Sequence, residues 1–164
     1  MFDPFFTWLE TSALSLWLVE SPSLFAFPGI LAVHTVGLGL LAGLSAAFDL
    51  RLLGVARGVP PAAFVRLRPV MLFGFWLNLV SGILLVLAYP TKALTNPVFY
   101  LKLGLIAVAV VVLRAQLRAA RDGLVGSRTR RLAVVSLVVW AGAITAGRLL
   151  AYTCTRLTVE YGCG

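Results

Sequence analysis

The sequence predicts an all-α integral membrane protein, an up-down four-helix bundle preceded by an N-terminal amphipathic helix at the membrane interface. Of its 164 residues, 60% are hydrophobic and only 12% are charged, which is too apolar for the surface of a soluble domain of this length. Four apolar stretches each approach the roughly 20 residues with which a helix crosses a bilayer. We therefore expect a single membrane domain over residues 1–164, in contact with lipid and without a separate soluble domain.

The first element is a short helix that the sequence predicts over residues 3–18. Asp3 and Pro4 are typical of an N-cap followed by a proline at the first helical position. Aromatic and aliphatic residues, among them Phe5 and Trp8, then lie opposite a polar face. Such a helix lies along the interface as an anchor; the alternative is a lid over an outward-facing pocket. The first twenty residues contain no Lys or Arg, so we expect no cleavable signal peptide.

The four transmembrane helices follow in order, with prolines near their ends. Pro28 kinks or delays the first helix, Pro90 closes the second, and Asn96 with Pro97 opens the third as an N-cap and first-turn proline. The predicted transmembrane helices cover residues 23–50, 70–89, 97–118 and 132–153, and an outer tail covers residues 154–164.

The basic residues are concentrated in two of the links between these helices. The net charge is +8, but its distribution indicates a membrane rather than a nucleic acid, because arginines are retained on the cytoplasmic side. We therefore predict a bacterial cytoplasmic membrane protein with both termini in the periplasm. The arginines of the two inner links are Arg51, Arg57, Arg66, Arg68, Arg114, Arg118, Arg121, Arg128, Arg130 and Arg131.

Small residues recur at helix-packing spacing in the first and fourth helices. Gly39 and Gly43 form a GxxxG pair, and Ala143 and Gly147 have the same spacing. Small side chains let backbones approach closely where no water drives association. We predict that the first and fourth helices pack through these residues; the alternative is that the same surfaces pack against a partner subunit.

Three polar residues are predicted at similar depth near the outer face: His34, Lys102 and Arg148. Ionisable groups inside a membrane are functional candidates by default. If they converge, they form a cationic layer suited to a quinone carbonyl, a haem propionate, a lipid headgroup or a substrate carboxylate. The alternative is that the two cations extend to the interface and pair with carboxylates, while the imidazole bonds to a neighbouring helix.

The sequence limits the cofactors that such a layer could hold. His34 is the only histidine, so a bis-histidine haem within one chain is excluded. Met71 is predicted at the opposite end of the bundle and cannot be a second axial ligand to the same iron. A five-coordinate b-type haem, a haem shared by two protomers, a quinone or no cofactor remain. We predict no metal site and no catalytic residues, because no convergent ligands and no nucleophile with a base are present.

Two cysteines lie close together in the C-terminal tail. Cys154 and Cys163 are predicted in an oxidising compartment, where a disulfide-closed loop is favoured. The alternative, a redox-active pair, would normally have CxxC spacing.

The remaining polar residues of the helices have structural interpretations. Asp49 beside Arg51 is interpreted as an interfacial ion pair at a helix end. Asn78 and Ser81 are predicted to form hydrogen bonds across the bundle.

Several short motifs resemble an uncharacterised family of small four-helix bacterial membrane proteins, which is distantly similar to the membrane domain of the CopD copper-resistance proteins. The motifs are HTVGLGLLAG from His34, FDLRLLG from Phe48, NPVFYLK from Asn96 and AGR from Ala146. The resemblance covers nearly the whole chain but implies no established activity, and this chain lacks the Met-rich and extra His positions of copper handlers. The polar positions that the resemblance carries over are His34, Asp49, Arg51, Asn96, Pro97, Lys102 and Arg148.

Three functional hypotheses follow. The first is a non-catalytic subunit or accessory protein of a larger membrane complex, redox or photosynthetic, because the chain has almost no extramembrane machinery. The second is a haem- or quinone-binding electron-transfer protein that uses His34 near the outer face. The third is copper or small-solute transport, although the sequence has no internal repeat or broken-helix pair.

Overall fold

The computed structural model describes residues 3–152, and every regular element in this range is a helix. Four helices are long and apolar enough to cross a membrane, which confirms the predicted fold class. We refer to them as the first to fourth spans: Phe27–Leu53, Arg68–Ala88, Pro97–Arg121 and Ser127–Leu150. The predicted outer tail, with Cys154 and Cys163 and their predicted disulfide, lies outside the described residues.

Shorter helices precede and connect the spans, and the first span has three parts. In chain order the elements are α1 (Asp3–Glu10), α2 (Ala13–Glu20), α3 (Phe27–Leu38), a π-helical turn (Gly39–Gly43), α4 (Leu44–Leu53), α5 (Ala62–Arg66), α6 (Arg68–Ala88), α7 (Pro90–Leu94), α8 (Pro97–Arg121) and α9 (Ser127–Tyr152). The first span thus consists of α3, the π-helical turn and α4, and the other three spans are α6, α8 and α9.

The N-terminal segment forms two helices where the sequence predicts one through residue 18. The hydroxyl of Thr11 donates to the carbonyl of Thr7 at 2.8 Å, at the end of α1. Ser12 then caps α2, its side chain accepting from the backbone N–H of Ser15 at 3.3 Å. Two polar side chains that bind local backbone groups therefore end one helix and start the next. α1 packs against α7 and α6, and α2 packs against α6.

The ends of the spans follow capping chemistry. Asn96 caps the third span by accepting from the N–H of Val98 at 2.9 Å, with Pro97 in the first turn, as predicted. Pro28 likewise lies in the first turn of the first span, where its missing N–H has no intrahelical partner to lose. The fourth span begins at Ser127, before the predicted residue 132, because charged side chains can occupy a helix end at the membrane surface although they interrupt an apolar window.

The first span holds the bundle together. Its α3 half packs on the second span, its α4 half packs on the fourth, and the third and fourth spans pack on each other. The π-helical turn Gly39–Gly43 separates the two halves. A π turn inserts an extra residue and so rotates the following helix face, which explains why one helix presents different faces to different neighbours.

The hydrophobic core lies towards one end of the bundle. We call this the arginine end, defined by Arg51, Arg68, Arg121 and Arg128, and we call the other the opposite end. Phe48 is fully buried and stacks on Phe64 with ring centroids 5.0 Å apart. The buried apolar cluster comprises Leu41, Ala42, Phe48, Leu52, Met71, Ala109, Leu113, Ala120, Ala133, Trp140 and Ala143.

The first and fourth spans do pack together, but through other residues than the predicted glycines. The Nε1 of Trp140 donates to the hydroxyl of Ser45 at 3.0 Å across this contact. Gly39 and Gly43 are exposed, and within the described range a Cβ at either would meet no atom of another helix within 4 Å. Gly147 faces Lys102 of the third span. The two glycines are the first and last residues of the π-helical turn, whereas the fourth span packs on α4, which follows that turn. Residue spacing in the sequence does not reveal a π-helical turn.

Candidate functional site

His34 is held between the first and second spans, about 10 Å from the start of its helix at 1.5 Å per residue. Its ring is half-buried, and Nδ1 lies 3.0 Å from the hydroxyl oxygen of Ser81. That hydroxyl donates to the carbonyl of Leu77 at 2.6 Å. With its single hydroxyl proton directed to Leu77, Ser81 accepts from Nδ1, and in that tautomer of His34 the Nε2 lone pair is available.

The backbone around His34 is equally constrained. The side-chain amide of Asn78 donates to the His34 carbonyl at 2.9 Å, so the predicted hydrogen bonds of Asn78 and Ser81 both cross to the first span. A Cβ at Gly82 would lie 3.2 Å from Cε1 of the imidazole, so the ring packs directly on the second-span backbone. Nε2 has no hydrogen-bond partner among residues 3–152. The hydrogen bond at Nδ1 thus orients the imidazole, and Nε2 makes no hydrogen bond to the described residues.

Lys102 lies in the third span, which packs on the fourth. It is half-buried, and a Cβ at Gly147 would lie 3.6 Å from its Cε and 3.7 Å from Nζ. Its ammonium lies within electrostatic reach of His34. Arg148, by contrast, is exposed. Of the three predicted residues, His34 and Lys102 therefore lie within electrostatic range of each other, one on the first span and one on the third, whereas Arg148 is exposed.

These two residues can recognise a ligand that both accepts and donates hydrogen bonds. The ammonium of Lys102 donates, and the Nε2 of neutral His34 accepts or ligates. Within the described part of the chain, no three His, Cys, Asp or Glu residues lie close enough together to hold a metal ion.

A second polar cluster lies in the core near the arginine end, and sequence analysis did not identify it. Asp49 is fully buried, and its Oδ1 accepts from the Nε2 of Gln116 at 2.7 Å. The hydroxyl of Ser136 faces the same carboxyl group, at a geometry that does not complete a hydrogen bond. Asp49 Oδ2, Gln116 Oε1 and Ser136 Oγ are buried without hydrogen-bond partners among the described residues. This cluster joins the first, third and fourth spans.

The predicted ion pair between Asp49 and Arg51 is absent from the described structure. Arg51 instead donates from Nη2 to the carbonyl of Arg57 at 3.1 Å, and from Nε to the carbonyl of Val59. Residues two apart on a helix point in different directions. The side chain of Asp49 therefore lies in the core, while that of Arg51 binds carbonyl groups of the loop that follows the helix. That loop starts at Gly54, whose φ of 107° is the left-handed conformation of a helix C-cap.

One sequence signal could have located Gln116. Its position continues the helical spacing of buried third-span residues, three or four apart: Ala109, Val112, Leu113, Gln116 and Ala120. An interpretation based on that spacing would have placed the amide inside the bundle, away from the neighbouring arginines.

Comparison with known proteins adds no identification. No family model matches the chain, and no curated protein or solved structure is significantly similar to it. The resemblance to the CopD membrane domain therefore stays a prediction from the quoted motifs, and the chain is identified as a four-span helical membrane protein by its own composition and fold.

Proposed function

We propose that the protein is a non-catalytic subunit of a larger membrane complex and that it associates with its partner through the exposed glycine pair of the first span. The observation that carries this proposal is that both glycines are exposed and that, among the described residues, a Cβ at Gly39 or Gly43 would meet no atom of another helix within 4 Å. The π-helical turn meets the second span through its other residues: a Cβ at Gly74 would lie 2.7 Å from Cβ of Leu40 and 3.0 Å from the nitrogen of Leu41.

Two such glycines weaken the helix unless another helix packs on them. Glycine in a helix interior costs roughly 1 kcal/mol relative to alanine, and a lipid-facing position gains nothing from lacking a side chain. A GxxxG pair lets a second transmembrane helix approach closely, which is the main source of helix association in lipid. Only 22% of the most apolar window of the first span is buried within the chain, so ample surface is left for a partner helix.

The proposal predicts that Gly39→Leu with Gly43→Leu abolishes assembly without unfolding the protein. The protein would be purified natively from its source membrane in mild detergent, and complex mass and co-purifying proteins would be measured. We expect the double variant to run at the mass of the isolated chain with thermal stability unchanged or raised, because the added side chains meet open space and leucine favours a helix more than glycine does. Gly104→Leu is the matched control, since Gly104 is also exposed and has no neighbour within 4 Å.

Two results would contradict the proposal. One is retention of the full complex by the double variant. The other is a native species that contains only copies of this chain, because that would be a homo-oligomer rather than a subunit of a larger complex.

A second candidate function is binding of a quinone or quinol between the two helical pairs. The half-buried Lys102 and the oriented His34 support it, because a lysine donor suits a quinone carbonyl and an Nε2 acceptor suits a quinol hydroxyl. Organic extraction of the purified protein would detect a quinone, and its absorption spectrum would detect a haem. We expect Lys102→Met to lose the bound species and Arg148→Met to keep it, and equal retention by both variants would reject this candidate.

A further inference from the structure

A cleft of about 320 Å³ separates the second and third spans near the arginine end. Each of these spans packs mainly on a different neighbour, the second on the first and the third on the fourth. The cleft between them is open to the surface of the bundle, where its lining residues Leu72, Arg114 and Arg118 are exposed. None of the residues considered for the two functions above lines it.

The lining of the cleft changes from apolar to cationic along the helices. Leu72 and Phe75 of the second span and Val110 of the third provide apolar walls. The end of the cleft at the membrane surface is lined by arginines: Arg68, Arg114, Arg118 and Arg121.

The third-span arginines form one continuous stripe. Arg114, Arg118 and Arg121 follow Val110 at spacings of three or four residues, which places them on one helix face. They extend over about 10 Å at 1.5 Å per residue. Like charges at this spacing repel one another and weaken a helix, so an anion bound along the stripe would stabilise it.

The cleft provides no counter-ion of its own. No Asp or Glu lines it, and among residues 3–152 none of the four arginine side chains has a hydrogen-bond or ion-pair partner. Arginine binds phosphate through two parallel hydrogen bonds, which makes it well suited to phosphate recognition. An occupant complementary to both parts of the cleft must carry a phosphate at one end and an apolar chain at the other.

We propose that this cleft is a binding site for an anionic glycerophospholipid of the adjoining leaflet. The phosphate binds the arginines, and one acyl chain lies along Leu72, Phe75 and Val110. Basic pockets between transmembrane helices bind anionic headgroups in this way. Such a lipid fills the space between the second and third spans.

The test measures lipid binding to the purified, delipidated protein in neutral detergent by native mass spectrometry. The probes are phosphatidylglycerol, phosphatidylcholine and inorganic phosphate. We expect saturable binding of phosphatidylglycerol and at least about tenfold weaker binding of the other two. Arg114→Gln with Arg118→Gln should weaken phosphatidylglycerol binding by about tenfold or more. The matched control, Arg128→Gln with Arg130→Gln, removes equal charge from exposed arginines outside the cleft and should bind as the wild type does.

A second pair of variants tests the apolar part without changing any charge. Val110→Trp fills the cleft, whereas Val111→Trp adds the same ring to a neighbouring residue that is 65% exposed and does not line it. We expect only Val110→Trp to reduce phosphatidylglycerol binding, and this pair decides the matter if the arginine variant does not fold. Equal loss in the cleft variants and their controls, equal binding of phosphatidylcholine, or binding of inorganic phosphate as tight as that of the lipid would overturn the proposal.

Discussion

At the scale of single residues, the least expected feature is a carboxyl group in the bundle core. Asp49 lies about 6 Å from the end of its helix at 1.5 Å per residue, yet it is fully buried. Its partner is the amide of Gln116 rather than a cation. A buried carboxyl group without a donor is costly, so this hydrogen bond stabilises Asp49 in the core and links the first span to the third.

Gln116→Leu should therefore destabilise the protein by about 2–4 kcal/mol, because Asp49 loses its donor inside the core. The free energy of unfolding would be measured by denaturant titration in detergent micelles. Asp49→Leu with Gln116→Leu replaces both polar partners and should be more stable than Gln116→Leu alone. A double variant as unstable as the sum of the single variants would show that the two side chains do not interact.

At the scale of elements, the first span illustrates how two nearby glycines can have opposite roles. Gly37 faces the second span so closely that a Cβ would lie 2.7 Å from the backbone nitrogen of Asn78. Gly39, two residues later, faces open space. The sequence predicts close packing of the first span through its small residues. It selected Gly39 and Gly43, however, because GxxxG spacing does not show which glycine faces which helix or where a π turn alters the register.

Gly37→Ala should accordingly cost about 1–3 kcal/mol, the usual penalty for overpacking, since the clash is with backbone atoms that cannot turn aside. Gly39→Ala should leave stability unchanged or raise it by up to about 1 kcal/mol through helix propensity. Thermal unfolding of the two variants side by side measures the difference. Equal stability of Gly37→Ala and Gly39→Ala would contradict the close approach of the first two spans.

At the scale of the whole molecule, the bundle consists of two helical pairs, the first span with the second and the third with the fourth, which are joined by the α4 half of the first span. The joint contains the core and the Asp49 cluster, whereas His34 and Lys102 belong to different pairs at the opposite end. The two candidate sites therefore lie where the helical pairs face each other. His34 and Lys102 lie near one end, and the arginine-lined cleft between the second and third spans lies near the other.

The distribution of arginines predicts that the arginine end faces the cytoplasm. Single cysteines at Gly58, Gly126 and Leu24, each introduced after replacement of Cys154 and Cys163 by serine, would be labelled with a membrane-impermeant maleimide. All three positions are exposed. In intact spheroplasts we expect labelling of Leu24→Cys alone, and of Gly58→Cys and Gly126→Cys only after permeabilisation. Labelling of Leu24→Cys and Gly126→Cys from the same side would reject the four-span topology.

The sequence by itself determined the class of protein, the number of spans and the end of the bundle at which the arginines collect. These properties depend on composition and on local signals such as the Asn96 cap, which act within a few residues. Only the tertiary structure decided that Asp49 pairs with Gln116, that Gly37 rather than Gly39 faces the second span, and that Lys102 rather than Arg148 joins His34. Those outcomes depend on how each helix is rotated about its axis. In lipid, apolar residues surround a helix on every side, so hydrophobic periodicity constrains that rotation only weakly.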